Sequence, residues 1–432
     1  MLRRYKSRYA PKESFAARVL TLMTGTTIAQ SIPIAISPIL TRLYAPGDFG
    51  VFALFSSLVS LVAIIATGRY ELAIMLPEDD EDAINLLVLS VGIAIFVSCL
   101  CALVIGVFNT QITDLLNNQE ISIWLYWIPL AVLLTGIYQA LNYWSARKKH
   151  YGRLSMSRLT QSVSTASVNL AMGFSKIGVG GLILGNIVGQ SFATGVVGWK
   201  VWRDDKNKLE LISKKSMRKN AKKYRNFPLV NTFHAFLDAL QTSGIVFLIA
   251  AYYGSAVLGL YSFVIRLLKM PLNLIGSSVS QVFYQEASEI YNQKGNLHYL
   301  LRITMMRLGL AGLPILIFIL LFAPDVFGIF FGADWVKAGV YAQILSPWIF
   351  FNFIVSPISG IYLIVGKQKQ AILFGVIDAV LKLLSVAYGV YCKDPIMGFY
   401  AMTVAGLIIL IAEIFWTFKI IQIPKIERDE MQ

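Results

Sequence analysis

Charge is scarce in this sequence. Only 14% of its 432 residues are Asp, Glu, Lys or Arg, against about 25% in an ordinary soluble domain. A chain so poor in water-facing side chains excludes a soluble enzyme. Cysteine is scarce as well. Cys99, Cys101 and Cys392 are too few and too scattered for a disulfide framework or a zinc site. All three fall in or beside apolar runs, where packing is the expected role. There is no Walker A pattern, no HExxH and no nucleophile elbow. No catalytic constellation stands out, and no cofactor is expected.

Apolar length is what the sequence has. Hydrophobic residues make up 56% of the chain and the mean hydropathy is +0.64. Many apolar runs reach about 20 residues, the length at which a helix crosses a bilayer. Twelve spans are expected, at roughly 19–41, 49–68, 83–107, 121–144, 157–174, 178–199, 228–252, 256–283, 303–323, 339–363, 370–391 and 396–420. The runs are continuous, without the period-2 alternation of a membrane β-barrel. They predict an all-α polytopic membrane protein.

Basic residues sort by side. With both termini on one side, the segments there hold 31 of the 38 Lys and Arg, and the opposite loops hold only Arg42, Lys176, Lys337 and Lys393. The positive-inside rule then places both termini in the cytoplasm. The net charge of +14 follows from loops that meet anionic lipid head groups, and no nucleic-acid partner is needed to explain it. Trp124, Trp144, Trp199, Trp202, Trp335 and Trp416 fall near the expected interfaces, where an indole is favoured.

The most basic stretch, 200–226, divides the chain into bundles of six spans at 1–199 and 227–432. Six is even, so both halves start from the same side and a repeat between them is parallel. A weak repeat occurs at an offset of 209: RLYAPGDFGVFALF lies over AYYGSAVLGLYSFV, pairing Tyr44 with Tyr253 and Gly50 with Gly259. Span six carries Gly181, Gly185 and Gly189, a small-residue stripe suited to close helix packing.

Polar residues inside spans carry the functional signal. Asn231, His234, Asp238, Gln241 and Thr242 share one face of span seven, and Ser262, Arg266, Lys269, Asn273, Ser277 and Ser280 share one face of span eight. Gln30 stands in span one, Glu71 near the end of span two, and Arg158, Gln161, Thr165 and Asn169 in span five. An Arg or Lys facing lipid at mid-bilayer costs about 2.5–3.5 kcal/mol, so these faces line a hydrated cavity or pair with one another. Asp378 and Lys382, one turn apart, are able to neutralise each other. Asp238 is in a position to pair with Arg266 or Lys269. His234 reads as a cavity residue, because no second histidine or cysteine stands at ligand spacing. Glu413 lies near a span end. Arg266 and Lys269 have no acid within four residues, and two fixed cations in a water-limited cavity suit an anionic ligand.

The stretch from Gly25 to Leu87, with SPILTRLYAP, DFG and RYELAIMLP before an acidic cluster, resembles the amino-terminal signature of bacterial polysaccharide biosynthesis proteins, the O-antigen and capsule flippases. LGLYSFVIRLLKMPLNLIGSSVSQVFYQEASE, Leu258 to Glu289, is similar to that family's eighth span. The resemblance implies the multidrug/oligosaccharidyl-lipid/polysaccharide exporter superfamily, with two six-helix bundles around a central cavity. It implies export of an undecaprenyl-pyrophosphate-linked oligosaccharide across the bacterial inner membrane by alternating access. Membrane lipid and other polysaccharide assembly proteins are the expected partners. By position it makes Arg42, Arg266 and Lys269 candidate substrate contacts, with Asn273 and Gln30 beside them. Asp238, His234, Asp378, Lys382 and Glu71 become candidate coupling or cavity residues. A cation-coupled multidrug exporter of the same superfamily is the alternative, but it calls for unpaired cavity acids, and span one has none between Val19 and Thr41. A polysaccharide polymerase or ligase calls for a sizeable outward loop that the expected topology lacks.

Overall fold

The computed structural model describes residues 15–293 and 295–422. These residues are helical almost throughout. The main helices are α1 (Phe15–Ala35), α2 (Pro46–Ala63), α3 (Asp80–Leu115), α4 (Ile128–Arg147), α5 (Tyr151–Phe174) and α6 (Val179–Asp205), then α7 (Thr232–Asn292), α8 (Leu297–Phe331), α9 (Val336–Val355), α10 (Gln368–Tyr391) and α11 (Pro395–Gln422). Short helices Ser37–Leu43 and Lys214–Lys223 lie between them. Helix is what a bilayer permits, because it satisfies backbone N–H and C=O groups within one segment. The protein is a multi-pass membrane protein.

Eight described helices are long and apolar enough to cross a membrane, or nine when the bent pair Gln119–Leu125 and Ile128–Arg147 counts as one. Arriving at the expected twelve requires adding α1 and α5, whose polar faces lower their hydropathy, and counting the two arms of α7 separately. Those arms meet at Gly254, whose φ of 81° and ψ of 175° break the helix. Only glycine adopts such a backbone without a steric penalty.

The chain folds as two compact units. The first comprises residues 1–40, 58–110 and 122–237, and the second 41–57, 111–121 and 238–432. Thus two segments from the first half of the sequence cluster with its second half.

In the first unit the glycine stripe and the polar face of span five meet. A Cβ at Gly185 would overlap the Asn169 side chain, and one at Gly189 would overlap Thr165. Small residues let α6 lie close on α5. Gln161 donates to Gln190, Arg158 to the Thr26 hydroxyl and Ser162 to the Ala29 carbonyl. This polar face is therefore used in helix pairing, which satisfies these hydrogen bonds.

The acidic cluster after Pro77 has a structural partner. Asp80 pairs with Lys148, with Lys208 at 3.0 Å and with Arg147 at 3.6 Å. Arg147 also donates to the carbonyls of Pro77 and Glu78 at 2.6 and 3.0 Å. Buried Asn220 donates to the Asp82 carboxylate at 3.0 Å, and Tyr70 to the Ala221 carbonyl at 2.9 Å. The basic 200–226 stretch is thus docked on the first unit by these bonds, so lipid head groups are not its sole counter-charge. Trp144 departs from its expected interfacial role in a similar way: it is fully buried and donates to Asp205 at 3.1 Å.

In the second unit the α2 amino terminus crosses α7 just beyond Gly254. A Cβ at Gly50 would overlap the Ser255 carbonyl, and one at Gly259 would overlap the Pro46 carbonyl. Gly50 and Gly259 are 209 positions apart, and so are Pro46 and Ser255. Each partner of one contact has its counterpart in the other, the signature of a two-fold relation. Here the weak sequence repeat has a physical counterpart. Phe49 packs edge-on to Phe263 and Trp335, with centroids 5.6 and 5.0 Å apart. Trp335, also expected at an interface, is buried and donates to the Thr41 carbonyl at 2.9 Å. Asn117 and Asn118 donate to the Ala251 carbonyl and the Ser255 hydroxyl at 3.0 and 2.9 Å.

Candidate functional site

Just inside this crossing, the second unit encloses a cavity of about 450 Å³. Ser56 and Ser57 of α2 line it, with Gln241, Ser262, Arg266 and Lys269 of α7, Trp348 of α9 and Lys382 of α10. Helical spacing explains the α7 contribution. Ser262, Arg266 and Lys269 are four and three residues apart, and so lie one above another on one face.

The three cations differ in their partners. Lys382, buried, is ion-paired to Asp378 one turn earlier, as its spacing predicts. Gln241 donates to the same carboxylate at 3.4 Å. Lys269 has no carboxylate at ion-pair distance among the described residues, and its Nζ sits 4.7 Å from the centre of the Trp348 ring. The Lys382 Nζ lies 4.2 Å from the same centre. One indole therefore faces two ammonium groups, each attracted by the negative face of its π-system. Arg266 is exposed to the cavity and likewise has no carboxylate partner among the described residues. Among the described residues the cavity thus presents two cations with no carboxylate at ion-pair distance, beside hydroxyl and amide groups for hydrogen bonds.

The structure brings together Arg266, Lys269, Lys382 and, through its ion pair, Asp378. Arg42 lies elsewhere: its Nη2 donates to the Ile329 carbonyl at 3.4 Å. Glu71 is buried in the first unit, where it accepts from Thr67 and faces Arg69 at 3.7 Å. Gln30 is half-buried on α1 of the first unit. The side chains of His234, Asp238 and Asn273 lie outside the described residues. Among the described residues no cluster of His, Cys, Asp or Glu is arranged to hold a metal.

Sequence reading missed Trp348. Its signal was present: it is a tryptophan in the middle of a span, away from the interfaces that favour the residue. Gly406 on α11 makes the space, because a Cβ there would overlap the indole ring. A second, smaller groove of about 300 Å³ begins at Lys269 and continues past Ser277, Ser280, Asn352 and Ser356.

Residues 39–340 match the family model described as polysaccharide biosynthesis protein. No curated protein sequence matches the chain. Among solved structures, the inward closed conformation of the lipid II flippase MurJ is similar with a TM-score of 0.69 and 14% identity, covering 93% of this chain and 89% of that one. An inward-facing multidrug resistance transporter of the MATE family and MOP superfamily is similar with a TM-score of 0.61 and 13% identity over 94% of each chain. A MOP superfamily transporter from Pyrococcus furiosus gives 0.57 and 12% over 94% of this chain and 95% of that one. At these identities the likeness establishes the fold, that of the MOP superfamily transporters.

Proposed function

The chain belongs to the polysaccharide biosynthesis protein family, and from that premise we propose that it is a flippase for an undecaprenyl-pyrophosphate-linked oligosaccharide, an O-antigen or capsule repeat unit. It carries this lipid from the cytoplasmic to the periplasmic leaflet of the bacterial inner membrane by alternating access. The observation that supports it best is the pair Arg266 and Lys269, two cations without carboxylate partners among the described residues, in a cavity with Ser56, Ser57 and Gln241. A diphosphate supplies the missing negative charge, and a glycan supplies hydroxyls for the polar wall. Arginine grips phosphate oxygens with two parallel N–H bonds, and lysine acts as a point charge.

Both termini are cytoplasmic in this reading, from the excess of Lys and Arg on their side. The membrane potential, worth about 2.3 kcal/mol per elementary charge per 100 mV, pushes an anionic head group outward. The process breaks no covalent bond. Arg42, Gln30 and Asn273 are secondary candidates for substrate contact. Asp238, His234 and Glu71 are candidates for coupling, as are Asp378 and Lys382, which pair with each other on the cavity wall.

The test is surface polysaccharide in cells carrying Arg266→Ala, Lys269→Ala or both. Each single variant is expected to lower it with protein levels unchanged, and the double variant to lower it further. Arg266→Lys is expected to be milder. Normal polysaccharide in the double variant removes the two residues from the mechanism.

The likeness to MATE transporters favours a second reading, a cation-coupled multidrug exporter. Cationic dyes would meet Arg266 and Lys269 with the wrong sign. Ethidium efflux that depends on Asp238 would establish this alternative over the flippase.

A further inference from the structure

The Lys269 groove does not end in polar residues alone. An apolar slot of about 210 Å³ adjoins it, walled by α7, α8 and α9. Leu272, Ile349 and Phe353 line both. On α7 the two environments fall on different faces. Arg266 and Lys269 point to the polar side, while Leu267, Leu268 and Pro271 line the slot. Pro271 and Ile315 on its wall are exposed. The side chains lining the slot are aliphatic or aromatic apart from Ser346, whose hydroxyl is already bonded to the Gln343 carbonyl.

We propose that the second unit holds an amphiphile lengthwise, with its diphosphate between Arg266 and Lys269, its first sugars in the rest of that cavity and the head-proximal isoprene units of its polyprenyl chain in the slot between α7, α8 and α9. The assignment rests on the flippase reading and adds where each part of the substrate lies. A cation where the polar cavity meets a groove that runs on to an apolar slot matches a ligand whose charge links a polar head to a hydrocarbon tail. A free glycan leaves the slot without a function, and a compact drug has no tail to reach it. Continuity through three shared residues commits the slot to the tail of the same molecule, because burying hydrocarbon there places the phosphates beside the ammonium group.

Binding to the full-length protein in phosphatidylglycerol nanodiscs tests this, with undecaprenyl diphosphate and inorganic pyrophosphate as the two probes. Lys269→Ala is expected to weaken both about tenfold or more, the scale of a lost charge-assisted hydrogen bond. Leu316→Trp and Ile319→Trp fill the slot and are expected to weaken undecaprenyl diphosphate about tenfold while leaving pyrophosphate unchanged. Retained pyrophosphate binding also shows that these variants are folded. Wild-type affinity for undecaprenyl diphosphate in both tryptophan variants, the result if bulk phospholipid fills the slot, overturns the tail assignment alone. Equal loss of both probes in both variants also overturns it, because slot and groove are then one site. Unchanged affinities in Lys269→Ala overturn the cationic premise of the flippase reading itself.

Discussion

Trp348 sets the character of the cavity wall, because Lys269 and Lys382 share its ring while only Lys382 has a carboxylate. Each cation–π contact is worth about 0.5–2 kcal/mol. Trp348→Leu is therefore expected to lower thermal stability and also substrate affinity, since Lys269 loses the face that holds it. Thermal melting and a binding titration on the same preparation check both. The Asp378–Lys382 pair carries a second prediction. Removing one partner leaves the other charge uncompensated at a largely desolvated position, which is destabilising. Asp378→Asn is expected to melt lower than Asp378→Asn with Lys382→Met. A double variant less stable than either single would show that the pair does more than neutralise itself. The one-turn spacing made this pair legible in the sequence. Its use of Trp348 was not, because the ring belongs to α9 and only packing brings α10 against it.

Among the helices, the crossing of α2 and α7 leaves no room for a side chain on either glycine. Overfilling a packed contact costs about 1–3 kcal/mol, and here the opposing atoms are backbone, which yields little. Gly50→Ala and Gly259→Ala are expected to loosen this end of the unit. A conformational equilibrium then shifts toward the state in which the crossing is apart. In a background with Cys99, Cys101 and Cys392 replaced, Ser255→Cys is expected to react slowly with a membrane-impermeant thiol reagent, and faster once either glycine is changed. Equal rates would mean that the crossing does not close access to Ser255. The native cysteines must be removed because Cys99 and Cys392 are exposed. Cys99 sits on an outward face of α3 and Cys392 just past the end of α10, positions that apolar context alone does not distinguish from the core. The polar stripe of α5 has the same origin. Read in isolation its residues either line a cavity or pair across helices, and the glycines of α6 bring the partner helix against them.

Across the whole chain, the asymmetry of basic residues makes an orientation prediction. In the same cysteine-free background, Asn117→Cys is expected to react with an impermeant reagent added to intact cells, while Lys215→Cys reacts only after the membrane is permeabilised. The reverse pattern would invert the topology and with it the proposed direction of transport. The docking of the basic 200–226 stretch on Asp80 and Asp82 does not weaken this inference, because positive-inside sorting depends on Lys and Arg and acidic residues contribute little to it.

The sequence by itself determined the helical, membrane-spanning character of the protein, because a bilayer leaves few alternatives to a helix for long apolar runs and makes intramembrane charge conspicuous. It also determined that Arg266 and Lys269 share a face, since helical periodicity is local. Tertiary structure decided which polar faces meet helices and which meet a cavity. It decided that Trp348 joins two lysines, and that Gly50 and Gly259 meet opposite each other's neighbours. These depend on packing between residues far apart in the chain, and side-chain spacing along one helix carries no information about what lies across from it.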